Sequence, residues 1–181
     1  MFGFFYVTKI KYTVRGADYY CFCALITNNE SEAQEKSGEV KTKGGAGYIY
    51  SADKFYIIAS TYTDKTQAEA IVKKNGGSVI ACSLPTLSFF DKNKANEARN
   101  VYQKITEHAS FLISLSYSFD IGKESVEGVQ NELKLYETSI KTEAIDVFSS
   151  LTLLRDSENV GVKVKYYICD LIFTAYKYFC Q

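Results

Sequence analysis

Two periods of apolar residues divide this chain at its single proline, Pro85. Before it, short aromatic and β-branched runs alternate with polar stretches. "YYCFCALIT" (19–27), "AGYIY" (46–50), "KFYIIASTY" (54–62) and "SVIACSL" (78–84) read as strands. "NNESEAQEKSGEVKTK" (28–43) opens on Asn and acidic residues, as a helix start does. Its inward stripe is thin, Ala33 and Val40 at an i, i+7 spacing. "TDKTQAEAIVKKN" (63–75) is the second helix, with Asp64 as cap and Ala68, Ile71 and Val72 turned inward. Gly44-Gly45 and Gly76-Gly77 stop the two helices.

The first half repeats itself. Tyr19 aligns with Phe55 and Thr27 with Thr63, so strand, Thr, Asn/Asp-led helix, Gly-Gly and strand occur twice. The expected unit is βαββαβ, a four-stranded antiparallel sheet of ferredoxin-like or SPOR-like type with two helices. Right-handed crossovers put its first and third strands at the centre. After Pro85 the period becomes helical. One run, capped near Asp91, carries Ala98, Val101, Ile105, Leu112, Leu115 and Phe119 at three- and four-residue steps. A second carries Val126, Val129, Leu133, Tyr136, Ile140, Ala144, Val147 and Leu151. A third, "VGVKVKYYICDLIFTAYKYFC" (160–180), is apolar nearly all round, yet Lys163, Lys165, Asp170 and Lys177 argue against a membrane span. Short loops imply an antiparallel three-helix bundle. The fold class is thus α+β, divided as an N-terminal segment (1–16), a sheet domain (17–84) and a helical bundle (85–181).

Charge narrows the function classes. The chain holds 21 basic and 21 acidic residues, and neither half carries the basic field of a nucleic-acid binder. The five cysteines include no C-x-x-C pair, and their odd number does not suggest a complete disulfide framework. Cys21 and Cys23 read as buried small hydrophobes, with a thiol pair or metal site near Cys82 as the alternative. The lone histidine, His108, falls on the edge of a helical apolar stripe and reads as a packing residue. Gly44–Gly47 lacks the Gly-Lys-Ser/Thr ending of a phosphate loop. No catalytic constellation or cofactor motif emerges, so the expectation is a non-enzyme without cofactor or metal. "MFGFFYV" at the N-terminus is too short to cross a bilayer and reads either as a first packing segment or as the stub of a longer anchor.

Residues 17–84 resemble a SPOR domain, the sporulation-related repeat. The second phrase, "KFYIIASTYTDKTQAEAIV", is the better match, with Ala59-Ser60-Thr61-Tyr62 where the family often has Val-Gly-Pro-Phe. In the first, Ala24-Leu25-Ile26 replaces the usual Gly-Ser-Phe. The resemblance implies a non-catalytic module of the bacterial cell envelope. It would bind peptidoglycan glycan strands and serve division, sporulation or wall remodelling from a membrane-anchored position facing the wall. In the family, glycan lies on the sheet face opposite the helices. Strand alternation then turns Cys21, Cys23, Ile57 and Ala59 toward the helices. Tyr20, Phe22, Ala24, Tyr56, Ile58 and Ser60, with Tyr48 or Tyr50, would line the glycan face. Phe22 and Ile58 are more apolar than family members usually offer there. Two readings follow: an aromatic platform open to sugar rings, or a face covered by the helical half or the N-terminal segment. The second leads to a cytoplasmic protein-interaction scaffold, self-associating through Ile168, Leu171, Ile172, Tyr176 and Phe179 of the last helix.

Overall fold

The computed structural model describes residues 10–140, 154–155 and 157–180. It is a mixed α/β fold with two antiparallel sheets and, among the described residues, five helices. In chain order the elements are β1 (Tyr12–Val14), β2 (Asp18–Thr27), α1 (Glu30–Thr42), β3 (Tyr48–Ser51), β4 (Phe55–Tyr62), α2 (Lys65–Asn75) and β5 (Ser78–Ser83). Then follow β6 (Leu87–Phe89), α3 (Lys92–Asp120), α4 (Val126–Ile140) and α5 (Val160–Cys180). The four-stranded sheet runs β3-β4-β2-β5, which makes β4 and β2 its central strands. Of the expected second helical run, Ala144, Val147 and Leu151 lie outside the described residues, as does "MFGFFYV".

Caps set the helix boundaries. Asn29 Oδ1 accepts from the amides of Ser31 and Glu32 at 2.9 and 3.2 Å. Asp64 caps α2 and Asp91 caps α3 in the same way. Replacing Asn29 with alanine is expected to cost about 1 kcal/mol, read as a lower urea midpoint at unchanged slope. At the far end of α1 the chain turns through Gly44 at φ +83°, and the Gly45 amide donates back to Val40. Gly47 has φ +57°, and a Cβ there would stand 2.5 Å from the Ser37 carbonyl oxygen. The Ser37 hydroxyl donates to the Gly47 carbonyl, so β3 begins directly against α1. Only glycine allows that approach.

A second sheet, β1 with β6, pairs Tyr12 with Phe89 and Val14 with Leu87. Both strands are three residues long, too short for a period to register in sequence. The Leu84 amide donates to the Ala17 carbonyl at 2.8 Å, and the Gly16 amide to Thr86 Oγ1 at 3.2 Å. The entry and exit of residues 17–84 therefore lie side by side.

One core crosses the expected boundary at Pro85. Tyr19, Cys21, Cys23, Tyr48, Ile58 and Cys82 of the sheet join Leu112, Leu133, Ile168, Ile172 and Phe173 of the helices in a single buried cluster. A smaller cluster, Ala33, Val40, Ile57 and Ala59, lies between the other sheet face and α1. The sheet is thus covered on both sides. α1 and α2 lie over one face, and the helical half, led by α5, lies over the other.

Candidate functional site

The residues expected to form one sugar-binding face are divided between two. Opposite partners in the β2–β4 ladder share a face. Cys21 pairs with Thr61, Phe22 with Ser60 and Cys23 with Ile58, but the next pair is Leu25 with Ile57. Ala59 and Ala24 are therefore extra residues, each a bulge that shifts the alternation of its strand by one. Cys21 and Cys23 consequently face α5, the reverse of the expectation, while Ile57 and Ala59 face α1 as expected. Phe22 and Ala24 turn to the α1 side, and the pairings Phe22–Ser60 and Tyr20–Tyr62 carry Ser60 and Tyr20 with them. Tyr48, Tyr56 and Ile58 belong to the α5 side. The phase was illegible because "FYIIAS" is apolar on both faces, which removes the polar alternation that marks register.

On the α5 side the expected platform is covered over Tyr48 and Ile58. Ile58 is 0% exposed and Tyr48 9%. The Phe173 ring of α5 stacks on Tyr50 at 4.4 Å between centroids and on Tyr48 at 5.6 Å. Tyr166 packs edge-on to Tyr48 at 5.2 Å. Burial, with the Asp170 carboxylate as the next cause, raises the Tyr48 phenol above its ordinary range. The surface expected to mediate self-association is spent in the same contact. Ile168 and Ile172 are 1% and 0% exposed, and Leu171, Tyr176 and Phe179 are half-buried against the core.

The cysteines line this interface as hydrophobes. Thr61 Oγ1 lies 3.5 Å from both Cys21 Sγ and Cys169 Sγ, joining sheet to helix. Burial pushes the Cys21 and Cys82 thiols up to about 12 and raises that of Cys169 as well. Thiols held protonated in this way are poor nucleophiles and poor metal ligands. No cluster of three or more His, Cys, Asp or Glu side chains suited to a metal occurs among the described residues.

His108 is 4% exposed rather than at the edge of its stripe. Nδ1 lies 3.2 Å from the Tyr136 hydroxyl of α4, and Nε2 lies 3.2 Å from the Tyr167 hydroxyl of α5. A neutral imidazole satisfies both, donating to one hydroxyl and accepting from the other. Burial lowers its pKa to about 4. The histidine thus joins three helices with both nitrogens occupied, and it is not presented to solvent as a base.

A concavity lies on the opposite side of the sheet, between α1 and α2. It is a groove of about 460 Å³ floored by Phe22, Ala24, Ala59, Ser60 and Tyr62. Lys36, Val40 and Lys43 form one wall, and Ile71 and Lys74 the other. Its end is closed by Lys165 of α5 and Asp120 of α3. Lys165 is 6% exposed, donates to the Gly44 carbonyl at 2.8 Å and is ion-paired with Asp120. Sequence reasoning noted Lys165 only as a charge interrupting an apolar helix. The steps Gly161, Lys165, Ile168, Ile172 place it on the buried stripe, and that spacing was the available signal.

Comparison with known proteins finds no family model, no curated protein and no solved structure that matches the chain. Among the described residues, no helix is long and apolar enough to cross a membrane.

Proposed function

We propose that this chain is a non-catalytic interaction scaffold built on a duplicated βαββαβ sheet, ferredoxin-like in strand order, with its own helical bundle serving as a permanent second core layer. The observation that carries the reading is the seating of Phe173 on Tyr48 and Tyr50 above the fully buried Ile58. An aromatic face open to sugar rings would have to be exposed; this one is stacked on the protein's own aromatic side chains. The occupied, neutral His108 and the protonated thiols support a binding role over a catalytic one. The side left for a partner is that of α1 and α2.

The competing reading keeps the SPOR resemblance and a place at the cell wall. Sedimentation of the purified chain with peptidoglycan sacculi, intact or stripped of stem peptides, separates the two. The scaffold reading expects the chain to stay in the supernatant with both preparations. Saturable co-sedimentation with stripped sacculi overturns it in favour of glycan binding.

A further inference from the structure

The groove between α1 and α2 has an unusual combination of lining groups. Its walls and end carry four ammonium groups, from Lys36, Lys43, Lys74 and Lys165, against two carboxylates, from Glu39 and Asp120. Lys36 is paired with Glu39 at 2.8 Å, and Lys165 with Asp120. Lys43 and Lys74, both exposed, are in no ion pair among the described residues. Lys43 is the C-cap of α1 and Lys74 lies in the last turn of α2, on opposite walls.

Lysines near helix C-termini have a plain electrostatic use, since each end presents roughly half a negative charge. Two such ends remove about one unit from the groove's surplus of two cations, and about one unit remains. Nor does that use account for the shape of the groove or for its floor. Phe22 and Ala24 offer an apolar surface, and Val40 and Ile71 face it from the two walls. Beside them Ser60 Oγ donates to the Tyr62 hydroxyl at 2.8 Å, which leaves the phenol proton to point elsewhere. Both residues are buried, at 7% and 4% exposure. The volume, about 460 Å³, lies within the range of small-molecule sites.

We propose that this groove is a binding site for a small organic anion with a flat apolar body. The body lies on Phe22 between Val40 and Ile71, the acid group meets Lys43 and Lys74, and the Ser60–Tyr62 hydroxyl pair supplies orientation from the floor. The site is separate from the sealed α5 face, so it stands or falls independently of the sacculus experiment.

The test uses two dyes with one ring system: 8-anilinonaphthalene-1-sulfonate, which is anionic, and N-phenyl-1-naphthylamine, which is not. The folded full chain at neutral pH is expected to bind the sulfonate with one saturable equivalent, and the uncharged dye about tenfold more weakly. Lys43→Glu with Lys74→Glu is expected to weaken the sulfonate about tenfold while leaving the uncharged dye unchanged. Both lysines are exposed, and a single cooperative thermal transition, with a midpoint lowered by the loss of two cations from helix C-termini, shows that this variant keeps its fold. Amide resonances of Gly44, Gly45 and Gly76 should shift on titration. Equal binding of the two dyes, an unchanged sulfonate affinity in the double variant, or shifts confined to another surface would each overturn the assignment.

Discussion

Phe173→Ala is expected to lower the unfolding free energy by about 3–5 kcal/mol, the range for deleting a buried aromatic ring. Phe173 is 2% exposed and is the ring on which both Tyr48 and Tyr50 stack. Its loss leaves a cavity at the centre of the contact between sheet and α5, and neither tyrosine can swing to fill it without leaving the strand face. Urea titration gives the energy. Thiol labelling gives the location, because the contact is lined by cysteines. In the native chain Cys21, Cys23, Cys82 and Cys169 are buried and Cys180 is exposed, so one thiol per chain should react quickly. In the variant, Cys21 and Cys169 should begin to react under native conditions, since they flank Thr61 at the same interface. A loss below about 1 kcal/mol with labelling still confined to Cys180 would mean that α5 does not seal the sheet.

The second large effect depends on pH. His108 is neutral in the folded chain, with its pKa held at about 4 by burial, against an ordinary value of 6.5. The Tyr136 and Tyr167 hydroxyls lie against its two ring nitrogens. Glu107 acts on Tyr136 and Asp170 on Tyr167, while His108 itself responds to burial. Because the folded pKa is depressed, the unfolded chain binds the proton first. The stabilisation due to this residue is therefore complete above about pH 6.5, falls as pH drops, and is gone below about pH 4. At about 1.4 kcal/mol per pH unit, the loss over that window is about 3 kcal/mol. Carboxylates also titrate there, so the comparison is with His108→Gln, whose stability should fall less steeply between pH 6.5 and 4. Parallel profiles for the two proteins would show that His108 is charged in the fold or free to reach solvent.

Local signals in the sequence were strong, and they located the elements well. Asn29, Asp64 and Asp91 cap the helices they precede, and Gly44-Gly45 and Gly76-Gly77 end α1 and α2. The duplicated strand–helix–strand phrase put the first and third strands of the unit at the centre, where β2 and β4 lie. What failed was the choice of face. Consecutive Ile57 and Ile58 are both fully buried, on opposite sides, and two bulges at alanines leave no trace in an apolar run. A sheet with one wet face would have shown its phase through polar residues. This one is dry on the α5 side and partly so on the other, and an error of one residue divides a predicted surface in two. The groove was illegible for a different reason. Lys43, Lys74, Tyr62 and Lys165 come from four separate elements, and only the tertiary fold brings them to one place.

The pairing of β1 with β6 has a mechanical consequence. Tyr12 lies opposite Phe89, so the outer ends of both strands point away from the four-stranded sheet in the same direction. Tension applied between the N-terminus and the helical half loads that short ladder from its open end, and its hydrogen bonds yield one at a time rather than together. Beyond it stand the bonds from Gly16 to Thr86 and from Leu84 to Ala17, and only then do Asp18 and Ser83, partners at the edge of the sheet, feel the force. Residues 17–84 therefore hang as a closed loop off the line of pull, shielded from a stretched chain until the clasp at its neck has opened.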